Sequence, residues 1–204
     1  MKTISYCVTA WNEHEELDRL LTQLLKYKRE EDEVIVQVDI TVTEEVKAVV
    51  SRHGLILYSY PLNGDFATFK NHIKSLSSKD YYFLVDADEY LTDTLILNLG
   101  EVLDLNPQVD IYLVPRINTV DGLTQEHINK WRWSVNDKGW VNYPDLQTRI
   151  CKNTPEYTWV GKVHERLAGP QGFTTYMPLP EGFELIHPKD IKRQEKQNKF
   201  YEQI

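Results

Sequence analysis

The chain has 204 residues and carries 31 Asp and Glu against 23 Lys and Arg, a formal net charge of -8. The length allows one large domain with a full core. The acidic balance excludes a general nucleic-acid binder, whose surface must be basic to displace counterions from phosphates. A bound nucleotide is not excluded, because one lysine and a metal ion neutralise a diphosphate locally. Two cysteines, Cys7 and Cys151, are too few for a disulfide framework and fit a reducing compartment. The apolar run at 4–10 is too short, and too quickly followed by acids, for a secretory leader, and no run reaches the roughly 20 apolar residues of a membrane span. The expectation is a soluble, cytoplasmic protein with no membrane span.

Taken in order, residues 4–10 read as a strand. Leu17, Leu20, Leu21, Leu24 and Leu25 then recur at helical spacing, a narrow apolar stripe on a charged segment. Residues 33–39 predict a second strand ending in an acid, and residues 44–53 a helix closed by Gly54. A third strand at 55–60, a helix at 66–76 and a fourth strand at 81–85 continue the alternation. Strands alternating with helices predict parallel β-α-β units, hence an α/β fold with a doubly wound, mostly parallel, Rossmann-like sheet flanked by helices. Residues 95–105 predict one more helix, stopped by Asn106-Pro107, and residues 111–117 another strand. From 118 to 182 the chain is rich in Trp, Tyr, Asn, Gly and Pro and predicts an irregular half with short strands at most. The tail, 188–204, is highly charged without a broad apolar face and predicts an exposed helix.

The apolar run Tyr81-Tyr82-Phe83-Leu84-Val85 leads straight into Asp86-Ala87-Asp88-Glu89. Such a run reads as a strand covered on both faces, and the carboxyl ends of parallel strands are where open α/β sheets bind ligands. Two acids one residue apart suit a divalent cation that prefers carboxylate oxygens and keeps places open for phosphate. A capped turn uses the same residue types, so the pair alone leaves both readings open. Asn12-Glu13 and Asp39 occupy equivalent places after the first two strands, and this convergence on one crevice is harder to explain by capping. Lys70-Asn71 lies within the third helix, where spacing alone reads Lys70 as a solvated lysine.

In this order the segments resemble the family 2 glycosyltransferases of the GT-A fold, which take a sugar from a nucleotide-sugar donor. The matching pieces are Ile4-Ser5-Tyr6-Cys7-Val8-Thr9-Ala10-Trp11-Asn12-Glu13, Asp39, Gly64-Asp65-Phe66-Ala67 with Lys70-Asn71, and Val85-Asp86-Ala87-Asp88-Glu89. Asp145-Leu146-Gln147-Thr148-Arg149-Ile150, Trp159-Val160-Gly161-Lys162-Val163-His164-Glu165 and Leu185-Ile186-His187 resemble its later elements. Two places depart from the family. The loop after Asp39, commonly Asp-x-x-Ser-x-Asp, reads Asp39-Ile40-Thr41-Val42-Thr43-Glu44, and Lys70 stands where an arginine is frequent.

The resemblance implies a single GT-A domain over 1–204, with a nucleotide-sugar-binding half at 1–117, an acceptor half at 118–187 and a charged helix at 188–204. It implies that Thr9, Ala10, Asn12, Glu13, Asp39, Lys70, Asn71, Asp86 and Ala87 line the donor site. Asp88, Asp86 and His187 would then serve a Mn²⁺ or Mg²⁺ ion. Glu165 would be the base for the acceptor hydroxyl, with Asp145 in reserve; the competing reading makes Glu165 an ion-pair partner of Arg166 or Lys162. The implied activity is an inverting transfer, by family habit from a UDP-linked sugar, to a carbohydrate or glycoconjugate acceptor. Trp131, Trp133, Trp140 and Trp159 are suited to stack on sugar faces, with at least two expected in the core. Among the alternatives, a nucleotidyltransferase would carry a Gly-rich phosphate loop where Thr9-Ala10-Trp11-Asn12-Glu13 has no glycine. A glycoside hydrolase has no use for a nucleotide pocket. A binding module that has lost catalysis is favoured only by the irregular loop after Asp39.

Overall fold

The computed structural model describes residues 1–179 and 182–201, with backbone alone for 200 and 201. β1 (Ile4–Ala10) is buried along almost its whole length, and α1 (His14–Tyr27) packs Leu17, Leu20, Leu21 and Leu24 into the same core. β2 (Glu33–Val38) and α2 (Glu44–Arg52) follow. β3 (Leu57–Ser59) is shorter than the 55–60 expected, because it is the terminal strand of the sheet and pairs with β2 alone. α3 (Phe66–Leu76), β4 (Tyr81–Asp86) and the short β5 (Tyr90–Leu91) come next.

α4 (Asp93–Leu105) begins two residues earlier than its apolar pattern suggests, because Thr92 caps it: the Thr92 hydroxyl oxygen accepts the Leu95 N–H at 3.1 Å. Thr92→Ala is expected to destabilise the fold by about 1 kcal/mol, read as a lower urea midpoint with an unchanged slope.

The second half departs from expectation. β6 (Val109–Asp121) runs 13 residues and β7 (Val141–Lys152) runs 12, where short strands at most were expected beyond 118. β7 escapes a hydrophobic reading because Asn142 to Thr148 is exposed or half-buried and mixes polar with apolar residues, and only Val141, Arg149, Ile150 and Cys151 of the strand are buried. α5 (Gln125–Trp131) lies between them, and β8 (Thr158–Val160), β9 (Arg166–Ala168) and β10 (Phe173–Tyr176) follow. The charged tail is not helical from 188: β11 (Leu185–Asp190) takes its first three residues, and α6 (Ile191–Tyr201) packs back on β11 and β6. Residues 202–204 of the expected helix, like 180–181 of the segment before it, lie outside the described residues.

Nine strands form one mixed, mostly parallel sheet in the order β3-β2-β1-β4-β7-β6-β11-β5, with β10 beside β6. β7 runs antiparallel to both β4 and β6, so β6 and β11 point the same way as β1, β2 and β4. Alternate residues divide two cores, as a period of two requires. Tyr6, Val8, Tyr81, Phe83 and Val85 join α1, α2 and α4 on one face, while Cys7, Tyr82, Leu84 and Cys151 meet α3 and Trp159 on the other. Among the described residues no helix is long and apolar enough to cross a membrane.

Candidate active site

The carboxyl ends of β1, β2, β4, β6 and β11 share one edge of the sheet. At the end of β2, Asp39 is fixed from three sides: its carboxylate accepts the Thr41 N–H and hydroxyl at 2.8 and 2.6 Å and the Leu62 N–H at 2.7 Å. Burial opposes its ionisation, but those donors outweigh it and hold the carboxyl below the usual range. Trp11, 49 % exposed, donates its indole N–H to the Thr41 hydroxyl at 3.0 Å. Glu13 ties the loop after β1 by accepting the N–H groups of Trp11 and Asn12 at 2.9 and 3.0 Å, leaving Asn12 exposed at the mouth. Ala10 and Ala87 are buried beside these loops, and the Ala87 N–H joins β4 to β1 through Thr9 O at 2.9 Å.

Behind the crevice lies an ionic network. Asp86 accepts the Thr9 hydroxyl at 2.9 Å and Arg149 Nη2 at 2.8 Å. The same Arg149 nitrogen reaches Glu89 Oε1 at 2.5 Å, which also accepts Arg116 Nη1 at 3.0 Å. Glu89 Oε2 accepts the Asp86 N–H at 3.1 Å. Burial opposes charge on Asp86, but Arg149 and Lys70 outweigh it and hold the carboxyl far below the usual range. Arg149, Arg116 and Glu89 had no assigned role in the sequence reading. The signal for Arg149 was the two-residue alternation Asp145, Gln147, Arg149 along β7, legible only once β7 is known to be a strand.

This network engages two of the expected site residues. Asp86 accepts Thr9 on one oxygen and Arg149 on the other, and its side chain remains 43 % exposed. Asp145 is the more heavily engaged of the two. Arg116 grips Asp145 Oδ2 with two nitrogens at 2.9 and 2.7 Å, Asn118 adds a third donor at 2.8 Å, and Gln147 binds Oδ1 at 2.6 Å. Burial opposes its charge, yet Arg116 and the amides outweigh it and depress its proton affinity.

Asp88 and His187 meet across the edge, Oδ2 to Nε2 at 3.2 Å. Asn118 fixes the histidine. Its Nδ2 faces the acceptor-only carboxylate of Asp145, so its Oδ1 faces His187 Nδ1 at 2.9 Å and that nitrogen must carry a proton. With Nδ1 turned to Asn118, Nε2 is the ring nitrogen that faces Asp88, and the two side chains stand where they could share a cation. Among the described residues no group of three or more His, Cys, Asp and Glu gathers to hold an ion alone. Mg²⁺ and Mn²⁺ sites completed by substrate phosphates need only one or two protein donors, and Asp88 with His187 fits that description.

On the far wall Lys70 is not a solvated lysine. Its ammonium pairs with Glu165 and lies 4.6 Å from the centre of the Trp159 ring, with both charged side chains under a fifth exposed. The partner of Glu165 is thus Lys70, 95 residues away, rather than Arg166 or Lys162. The Asn71 amide exchanges two 2.8 Å hydrogen bonds with the backbone of Trp159, clamping β8 to α3. Lys70, Gln147, Arg149, Trp159, Glu165 and Arg166 line a cavity of about 410 Å³. Only Trp159 of the four candidate tryptophans is buried. Trp131, Trp133 and Trp140 are half-buried outside both cores, Trp131 against His127 and Trp133, Trp140 against Tyr143. Val163, His164 and Glu165 form the loop into β9, His164 being exposed with φ +53°.

A parallel β-α-β half that gathers acids at its strand ends, joined to a second half that extends the same sheet, defines a GT-A-like domain. The chain belongs to glycosyl transferase family 2, whose model matches residues 5–161. Among curated proteins none matches the chain significantly. Among solved structures, residues 1–349 of S. aureus TarS superpose with a TM-score of 0.53 at 20% identity, over 75% of this chain and 47% of that one. The complex of TarS 1–349 with UDP-GlcNAc gives 0.50 at 22%, over 61% and 36%. Glucosyl-3-phosphoglycerate synthase from Mycobacterium tuberculosis, in complex with Mg²⁺ and UDP, gives 0.54 at 13%, over 93% and 69%. The chain spans less than half the length of either TarS structure. At these identities the likeness shows the fold.

Proposed function

We propose that this domain moves a sugar from a nucleotide-sugar donor, carried by UDP, to a hydroxyl of a carbohydrate or glycoconjugate acceptor, with inversion at the anomeric carbon. The observation that carries the reading is the Asp88–His187 pair, oriented by Asn118 on the sheet edge where Thr9 and Asp39 also end. Family membership and the UDP-containing structures of TarS and the mycobacterial synthase support the choice of carrier. Asp39 and the loop from Trp11 to Glu13 receive the nucleoside. Asp88 and His187 would hold the Mn²⁺ or Mg²⁺ ion, which when bound neutralises charge developing on the departing diphosphate.

Glu165 faces the cavity beside Arg149 and removes the acceptor proton. The acceptor oxygen forms its bond to the anomeric carbon as the bond to the diphosphate breaks, and the electron pair leaves with the nucleoside diphosphate. Lys70 holds the Glu165 carboxylate in place, and Trp159, under the Lys70 ammonium, walls the cavity.

Calorimetric titration with UDP, GDP and dTDP, with and without Mn²⁺, tests the donor site. UDP is expected to bind only with metal, and Asp88→Ala to weaken it at least as much as losing an outer-shell partner does, about 10–100-fold. Binding that ignores both metal and the substitution would defeat the reading.

A further inference from the structure

α6 does more than cover the sheet. Arg193, on its first turn, reaches across the edge: Nη2 lies 3.1 Å from Asp88 Oδ2 and 3.1 Å from Glu13 Oε1, and Nη1 lies 3.4 Å from Glu16 Oε1. Its own N–H is held by Asp190 Oδ1 at 2.9 Å, and His127 of α5 stands 3.7 Å from Glu195 on the same helix. One guanidinium thus gathers three carboxylates from two separate elements, the start of α1 and the turn after β4. The Asp88 oxygen it touches is the one that faces His187.

We infer that Arg193 and the divalent ion are alternative cations for Asp88, so that α6 acts as a strap over the donor crevice which metal binding must loosen. The inference rests on the donor-site reading above. Two cations on one carboxylate oxygen repel each other, and Arg193 has Glu13 and Glu16 to fall back on when it leaves Asp88. Metal alone therefore meets a site already neutralised. A nucleoside diphosphate brings enough negative charge for both cations, which makes nucleotide and metal each raise the other's affinity.

The test titrates Mn²⁺ alone, by the paramagnetic resonance signal of the free ion, into wild type, Arg193→Gln, Arg193→Ala and Arg193→Lys. The neutral variants are expected to bind Mn²⁺ about tenfold more tightly than wild type, a typical coupling between sites, and to lose part of the enhancement that UDP gives. Arg193→Lys, which keeps the charge without the planar fork, falls between. Mn²⁺ affinity that is unchanged, weaker or undetectable in both neutral variants overturns the inference. If wild type still binds UDP with metal, that result leaves the donor-site reading standing, so the two failures are distinguishable.

Discussion

Glu165→Gln is expected to lower turnover by about 10²–10⁴-fold, the usual contribution of a general base, while leaving metal-dependent UDP binding unchanged. The substitution keeps the shape and one oxygen, so Lys70 retains its partner and the cavity its wall. What disappears is the capacity to take a proton from a hydroxyl whose own acidity is far too weak at neutral pH. Release of UDP from saturating donor sugar in the presence of a turned-over acceptor measures the loss. Calorimetry on the same preparation shows that the donor site is intact. Retention of more than about a tenth of wild-type turnover would move the base elsewhere, since that is below the range such a group supplies. Asp145 is a poor replacement, because four donor contacts already saturate it.

The first half was legible in the sequence because β1 and β4 are buried on both faces and read as unbroken apolar runs. Tyr81 to Val85 is the clearest case, and the leucines of α1 give an equally plain helical period. Strand ends then located Asp39, Asp86 and Asp88 without any knowledge of contacts. β7 was hidden for the opposite reason: a strand that lines a polar crevice loses the apolar alternation by which strands are recognised. Its arginine therefore went unassigned, and with it the pairing of Asp86 with Arg149. Lys70 and Glu165 meet only because Asn71 clamps α3 to β8, and no local spacing encodes that packing. Arg193 is more extreme, since its partner Glu13 lies 180 positions away. Local chemistry fixes which groups are available, whereas tertiary packing decides which of them neutralise one another.

Arg149→Met tests that last point and is expected to destabilise the fold by about 3–5 kcal/mol, the range for breaking a buried ion pair from one side. Arg149 is 4 % exposed, and its partner Glu89 is 1 % exposed, so methionine fills the space but leaves the desolvated Glu89 charge with the Arg116 contact at 3.0 Å in place of two arginines. Asp86 is 43 % exposed at its side chain, and water takes over part of its pairing. Most of the loss therefore traces to Glu89, and adding Glu89→Gln to Arg149→Met should recover part of it, a coupling that a double-mutant cycle in urea measures. The pH dependence has a definite sign. Asp86 is depressed in the folded protein, so its stabilisation is present above the ordinary carboxylate value of about 3.9 and drains away as pH falls through the folded value. The gap between wild type and Arg149→Met should accordingly be widest near neutrality and narrow below about pH 4, where the unfolded carboxylates begin to hold their protons. A gap that stayed constant through that acid limb would mean that Arg149 acts by filling volume rather than by pairing charge.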